Sequence, residues 1–247
     1  MIRPTHRARH WLGRVGLGMA SPLLLEWGLR FALSDITTTA QYSYFSERWI
    51  ASDAVHTNRL GFREREFEAI PASSVCRICM VGDSFLFGQG LPVAARLSNI
   101  LDAQLNSGAA EVEVLNFGAK GANLAEYLEV LDNDVLPTNP NVVLLQWFIN
   151  DADSEQHPYP SAARLLPWRV GDRFLTRHSA LWSLAGIAFD RVALGVGMRD
   201  HYWDFTQALL SDENGSPARA ARDHLRAFVE ACQAAGVPVG IILFPDL

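Results

Sequence analysis

The sequence predicts an α/β domain: a doubly wound parallel sheet with helices on both faces. Three observations predict it. Short apolar runs bounded by turn residues recur at 77–82, 112–116, 142–147 and 239–244. Segments that read as helix lie between and around them, at 94–106, 122–134, 178–194 and 217–235. Strands that alternate with helices form parallel sheets. The first three apolar runs also end in polar or glycine residues, the pattern of strands that open onto a crevice at their carboxyl ends.

The first strand, 77–82, runs into Val81-Gly82-Asp83-Ser84-Phe85-Leu86-Phe87-Gly88-Gln89-Gly90. Ser84 falls where a helix begins, beside backbone N–H groups that favour developing negative charge. Gly82 lets the turn tighten, and Gly88 and Gly90 let backbone approach a ligand. Gly-Asp-Ser alone is a common polar turn. Helix 94–106 follows, and then strand 112–116 leads into Asn116-Phe117-Gly118-Ala119-Lys120-Gly121. After helix 122–134, strand 142–147 leads into Phe148-Ile149-Asn150-Asp151. Residues 151–176 read as a loop over the crevice. Helix 217–235 is stopped by Gly236 and Pro238, and strand 239–244 closes the set.

Ser84, Gly118 and Asn150 therefore converge on one sheet edge. Their types suit acyl transfer: a serine nucleophile, with a glycine N–H and an asparagine amide to hold a tetrahedral oxyanion. Singly, Gly118 could be a turn residue and Asn150 a cap.

These blocks resemble those of the SGNH (GDSL-type) hydrolase family. Gly82-Asp83-Ser84 with Gly88 matches the block that carries the nucleophile. Asn116-Phe117-Gly118 with Gly121 and Asn123 is similar to the second, whose glycine donates to the oxyanion. Asn150-Asp151 is similar to the third, although Phe148 stands where a glycine is expected. Thr57-Asn58-Arg59-Leu60-Gly61-Phe62-Arg63 also resembles a segment that precedes the catalytic domain in many bacterial members. The resemblance spans roughly residues 56–247 and implies a flavodoxin-like sheet in the order 2-1-3-4-5. It implies an esterase or acetylhydrolase acting on a small-molecule, carbohydrate or lipid ester.

The family's Asp-x-x-His, which supplies the general base, occurs nowhere in the 247 residues. The sequence thus reads as the front portion of a longer protein, with the last strand and the base beyond Leu247. Activity of this chain is expected to be weak, since general-base help contributes about 10²–10⁴-fold. His157 is the nearest substitute in sequence; His224 reads as a solvated residue on a polar helix face. Two other readings share the scaffold: a noncatalytic domain that binds acylated carbohydrate or lipid, and an O-acyltransferase.

Composition narrows the field. A net charge of −6 gives no reason to expect nucleic acid as a partner. No dinucleotide, P-loop or metal-ligand spacing is present, so neither cofactor nor metal is implied. Cys76 and Cys79 have redox-motif spacing but lie on a strand, where they point to opposite faces; they read as packing, and Cys232 as a helix-face residue. Oligomeric state is not encoded in any motif.

The N-terminus differs. Arg3, Arg7, Arg9 and Arg14 precede the uncharged stretch 15–25, and an apolar set continues to Leu33. Residues 11–33 read as an uncleaved signal-anchor, with the domain on the periplasmic or exterior side. The alternative is an amphipathic helix packed on the domain. The expected organisation is an anchor at 1–34, a lead-in at 35–76 and the domain at 77–247.

Overall fold

The computed structural model describes residues 21–34, 43–53, 55–108, 111–153, 172–198 and 201–244. The chain divides into two compact units, 1–51 with 161–199 and 52–160 with 200–247.

The second unit holds the sheet. Its strands are β1 (Cys76–Gly82), β2 (Val112–Gly118), β3 (Val142–Trp147) and β4 (Val239–Leu243). All pairings are parallel and the order is β2-β1-β3-β4. The helices are α1 (Ser84–Phe87), α2 (Leu97–Leu105), α3 (Leu124–Val130), α4 (Tyr202–Ser211) and α5 (Ser216–Ala234). The segment 122–134 is a composite rather than one helix. Asn123 and Glu126 close a reciprocal capping box at its start, and a wide turn at Leu131–Val135 and a tight turn at Leu136–Thr138 follow α3.

Burial runs on both faces of β1, so nearly every residue of that strand is apolar, as parallel sheets require. Cys79, Val81, Leu115, Phe117, Val143 and Leu145 pack against α3 and α5 through Tyr127, Leu131, Phe228 and Cys232. Met80, Leu86 and Val114 form the core on the other face. Cys79 is wholly buried, its thiol pushed up to about 12 by burial, whereas Cys76 is exposed. Cys232 is core rather than helix surface, and burial pushes its thiol up to about 11.

Among the described residues no strand pairs with the outer edge of β4. Ile241 and Leu243 are exposed there, while Ile242 packs into the second core. Unpaired apolar edges are templates for other chains. The protein is expected to self-associate through this edge, and Leu243→Lys to lower its sedimentation coefficient at high concentration. Identical, concentration-independent sedimentation of both proteins would contradict this.

The first unit contains a helix at 21–32, Tyr44–Ile50, Asp172–His178 and Ala180–Gly195. Glu26, which interrupts the apolar N-terminal stretch, pairs with Arg30 at 2.7 Å. It also accepts from the Ala180 and Leu181 N–H groups and the Ser179 hydroxyl, at 2.8–2.9 Å. Burial opposes its charge, but these bonds prevail and hold the carboxyl at about 2. Glu26 thus neutralises the first turn of a helix. No helix among the described residues is long and apolar enough to cross a membrane; positions 1–20 of the expected anchor lie outside them.

Candidate active site

Ser84 stands on a one-turn helix bracketed by two local signals. The Asp83 carboxylate accepts from the Phe85 N–H at 2.9 Å, and Gly88, at φ 71°, ends the turn with bonds to the Ser84 and Phe85 carbonyls. The half-buried Ser84 hydroxyl donates to Asp83 Oδ2 at 3.3 Å. The glycines differ from expectation in what they make room for. A Cβ at Gly82 would meet Gln146 Oε1 at 2.4 Å, and one at Gly88 would meet Arg96 Cγ at 2.5 Å. Gly88 therefore accommodates a buried arginine and a left-handed turn, rather than a ligand.

Gly118 lies against the nucleophile's helix: a Cβ there would meet the Phe87 N at 2.4 Å and the Leu86 C at 2.8 Å. Its own N–H, expected to face an oxyanion, donates to Asn116 Oδ1 at 2.8 Å. Asn116 in turn donates to the Leu86 carbonyl at 2.7 Å and to Ser98 Oγ at 2.8 Å. Its amide thus ties β2 to α1 and α2. The signal for this was legible, since an Asn two residues before a Gly is an Asx-turn pattern. Further along the loop, Gly121 is exposed, at φ 73°, with open space around it.

Asn150 and Asp151 lie in a tight turn at Ile149–Ala152 after β3. The Asn150 amide faces the same Asp83 carboxylate that accepts the hydrogen bond of the serine hydroxyl. Ser84 and Asn150 are thus brought to one group. Sequence reasoning missed the group beside it. Asp151 is wholly buried, accepting from the Phe148 N–H at 2.8 Å, with the Asp83 charge and the Tyr127 hydroxyl close by. Burial, then the Asp83 charge, pushes its carboxyl up to about 8. Burial also raises Asp83, against hydrogen bonds from Phe85, Asn150, Ser84 and Gln146. Tyr127 is raised by burial and by both carboxylates. Two carboxyls in low dielectric do not both ionise easily, so the pair retains a proton at neutral pH.

Phe148, at the position where the resemblance implies glycine, is buried edge-on between Phe85 (4.9 Å) and Trp203 (5.0 Å). Phe85 stacks on Phe244 at 5.7 Å and remains half exposed next to Ser84. An aromatic shelf flanks the serine.

Sheet order 2-1-3-4 and the blocks at three strand ends are those the sequence resemblance implies. The fold is an all-parallel α/β sheet with a core on each face. No family profile and no curated protein matches the chain. Solved structures of SGNH hydrolases are similar to it at low identity. AlinE4, an SGNH-hydrolase family esterase, shares 19% identity at a TM-score of 0.38, over 69% of this chain and 60% of its own. TesA shares 14% at 0.31, over 66% and 76%. A lipase/acylhydrolase from Enterococcus faecalis shares 19% at 0.29, over 66% and 74%. The chain thus spans less than two thirds of the AlinE4 chain.

Among the described residues, Ser84 Oγ bonds only to Asp83, and no imidazole reaches it. His157 lies outside the described residues. His224 is half-buried with its Nδ1 enclosed and unbonded, not solvated as expected. Its helix, α5, packs on α3 and on the Asn150 turn.

Proposed function

We propose that the domain is a serine esterase acting on small-molecule esters, with an O-acylated carbohydrate or lipid as substrate class. Ser84 Oγ bonds to the acyl carbon, and the ester C–O bond breaks. The serine proton leaves with the alcohol, and water then releases the acid. The observation that carries this reading is the Ser84–Asp83–Asn150 contact at the sheet's carboxyl edge. Asn150 supplies one oxyanion donor and the 118–121 loop the other. Within that loop Gly121 competes with Gly118, whose N–H is committed to Asn116. The Phe85 shelf offers apolar surface for an acyl group.

Among the described residues only a carboxyl bonds to Ser84 Oγ, and slow turnover is the expected consequence. Purified 1–247 is expected to hydrolyse p-nitrophenyl acetate slowly, with added imidazole raising the rate about tenfold or more as an external base. Ser84→Ala is expected to lose both the slow and the rescued activity. Equal turnover by wild type and Ser84→Ala overturns the esterase reading. Rapid unaided turnover means that a base such as His157 serves the serine. A noncatalytic binding domain is the second reading, favoured because no imidazole reaches Ser84 among the described residues, and it shows as ester binding with no rescued turnover.

Attachment to a membrane surface through the N-terminal segment belongs to the same proposal. Leu24, Trp27 and Phe31 are 72%, 74% and 86% exposed on one helix, following an arginine-rich start. Such a face suits a bilayer interface. Flotation with anionic vesicles that is lost in Trp27→Glu/Phe31→Glu supports it; failure of the wild type to float contradicts it.

A further inference from the structure

The segment Asn58–Glu64 has an architecture that the proposed chemistry does not use. The Asn58 side chain accepts from the Leu60 and Phe62 N–H groups, both at 3.1 Å, and the Asn58 backbone N–H donates to the Phe62 carbonyl at 2.8 Å. Gly61, at φ 88°, completes the loop, and Phe62 anchors it edge-on against Phe117 at 5.0 Å. This small closed loop delivers Arg63 and Glu64 into the interior behind α1.

Arg63 is 1% exposed. Its guanidinium donates to the carbonyls of Phe87 (3.2 Å), Gly88 (2.8 Å) and Leu91 (2.8 Å). These carbonyls belong to the end of the turn that Ser84 begins. Left bare, they would place a partial negative charge beneath the serine. Arg96, also 1% exposed, donates to the Arg63 carbonyl and sits 3.7 Å from Glu64. Glu64 accepts from the Asn116 N–H at 3.0 Å. Glu64 thus lies between Arg96 and the half-exposed Arg65, and with Arg63 counted the balance behind the turn is positive. Burial, and then the neighbouring Arg96 charge, lowers Arg63 to about 10. It nonetheless stays a cation at neutral pH.

We propose that Arg63 is a positioning residue for Ser84. Resting on the esterase reading, its three-carbonyl grip fixes the Ser84–Leu91 turn, and its charge favours the anionic tetrahedral species formed on the serine. A planar guanidinium holds its donors in a rigid fork, whereas an ammonium is a compact point charge on a flexible stem. This explains why Asn58, Gly61, Phe62 and Arg63 stand together in the sequence: each shapes or fills the cradle from which Arg63 reaches the turn.

The test compares wild type, Arg63→Met and Arg63→Lys by two readouts. The first is hydrogen exchange of peptides covering 84–92. The second is the rate at which a fluorophosphonate labels Ser84. Arg63→Met is expected to speed exchange across 84–92 while β3 stays protected, and to slow labelling at least tenfold. Arg63→Lys keeps the charge but not the grip. It is expected to exchange like the Met variant yet label at an intermediate rate. A folded Met variant with wild-type exchange and wild-type labelling overturns the proposal. Should neither variant fold, the wild-type protein decides: the Arg63 guanidinium NMR signals are expected to shift when Ser84 is phosphonylated, and unshifted signals overturn it. If wild-type Ser84 does not label at all, the esterase reading falls, whereas the exchange data still decide the grip.

Discussion

Asp151→Asn is expected to flatten the pH dependence of the domain's stability and to make the variant the more stable protein above pH 8. Asp151 is wholly buried and its carboxyl is raised from 3.8 to about 8. The folded state therefore holds a proton that the unfolded chain releases near pH 4. A group raised in this way contributes its full stability below the unfolded value and loses it as pH climbs to the folded one. Every pH unit between those two values is worth about 1.4 kcal/mol, so the loss between pH 4 and 8 is on the order of several kcal/mol. Asparagine keeps an acceptor for the Phe148 N–H, now at 2.8 Å from the carboxylate. It also presents an N–H where Asp83 and Tyr127 lie close. Nothing then remains at position 151 to ionise. The raised Asp83 acts in the same direction, so a smaller slope should persist. Denaturant midpoints at pH 5, 7 and 9 check this; parallel pH profiles for the two proteins would contradict it.

Arg77→Ala is expected to destabilise the domain by about 3–5 kcal/mol. Arg77 is 1% exposed, although it opens a strand that otherwise reads as apolar. Its Nε donates to Glu113 on β2 at 2.7 Å. The same guanidinium reaches the carbonyls of Glu68 (2.8 Å), Ala69 (3.0 Å) and Thr138 (2.6 Å). Alanine leaves Glu113 without this partner and three carbonyls without a donor, each a desolvation cost. Arg77→Met keeps the stem that packs beside Phe67, and should recover only a minor part. Urea unfolding measures both; a cost under about 1 kcal/mol for Arg77→Ala would show that water replaces the lost bonds.

The sheet was legible because parallel strands announce themselves. Short apolar runs at 77–82 and 142–147 need burial on both faces, and that requirement fixes both their identity and their company. The strand ends were legible too, since Ser84 and Asn150 sit at the places where strands stop. What sequence left hidden is long-range. Nothing local to Arg63, Arg77 and Arg96 signals that carbonyls and carboxylates distant in sequence bury them. Gly88 read as a ligand-facing residue because Arg96, eight residues on, leaves no local signature of filling its space. The helices Tyr44–Ile50 and Tyr202–Ser211 were missed for a different reason. Each is short and flanked by unpatterned polar and aromatic residues, so no apolar stripe of helical period stood out.

The buried carboxyl pair was the costliest omission. Asp83 and Asp151 lie 68 positions apart in sequence and meet only when β1 and β3 pair side by side. Their meeting gives the site its distinctive electrostatics: burial raises both carboxyls, the Asp83 charge raises Asp151 further, and Asp83 touches both Ser84 and Asn150. The capping box at Asn123 and Glu126, by contrast, was plain in the sequence and merely not singled out.

The claim on which the rest depends is that Ser84 is a nucleophile facing an oxyanion site. Treating the protein with a fluorophosphonate, digesting it and locating the adduct by mass tests this most directly. The expected result is one adduct, on Ser84, absent in Ser84→Ala and slowed by Asn150→Ala at least tenfold, the order of effect of losing an oxyanion donor. An adduct on another residue, or none while the protein remains folded, would contradict it.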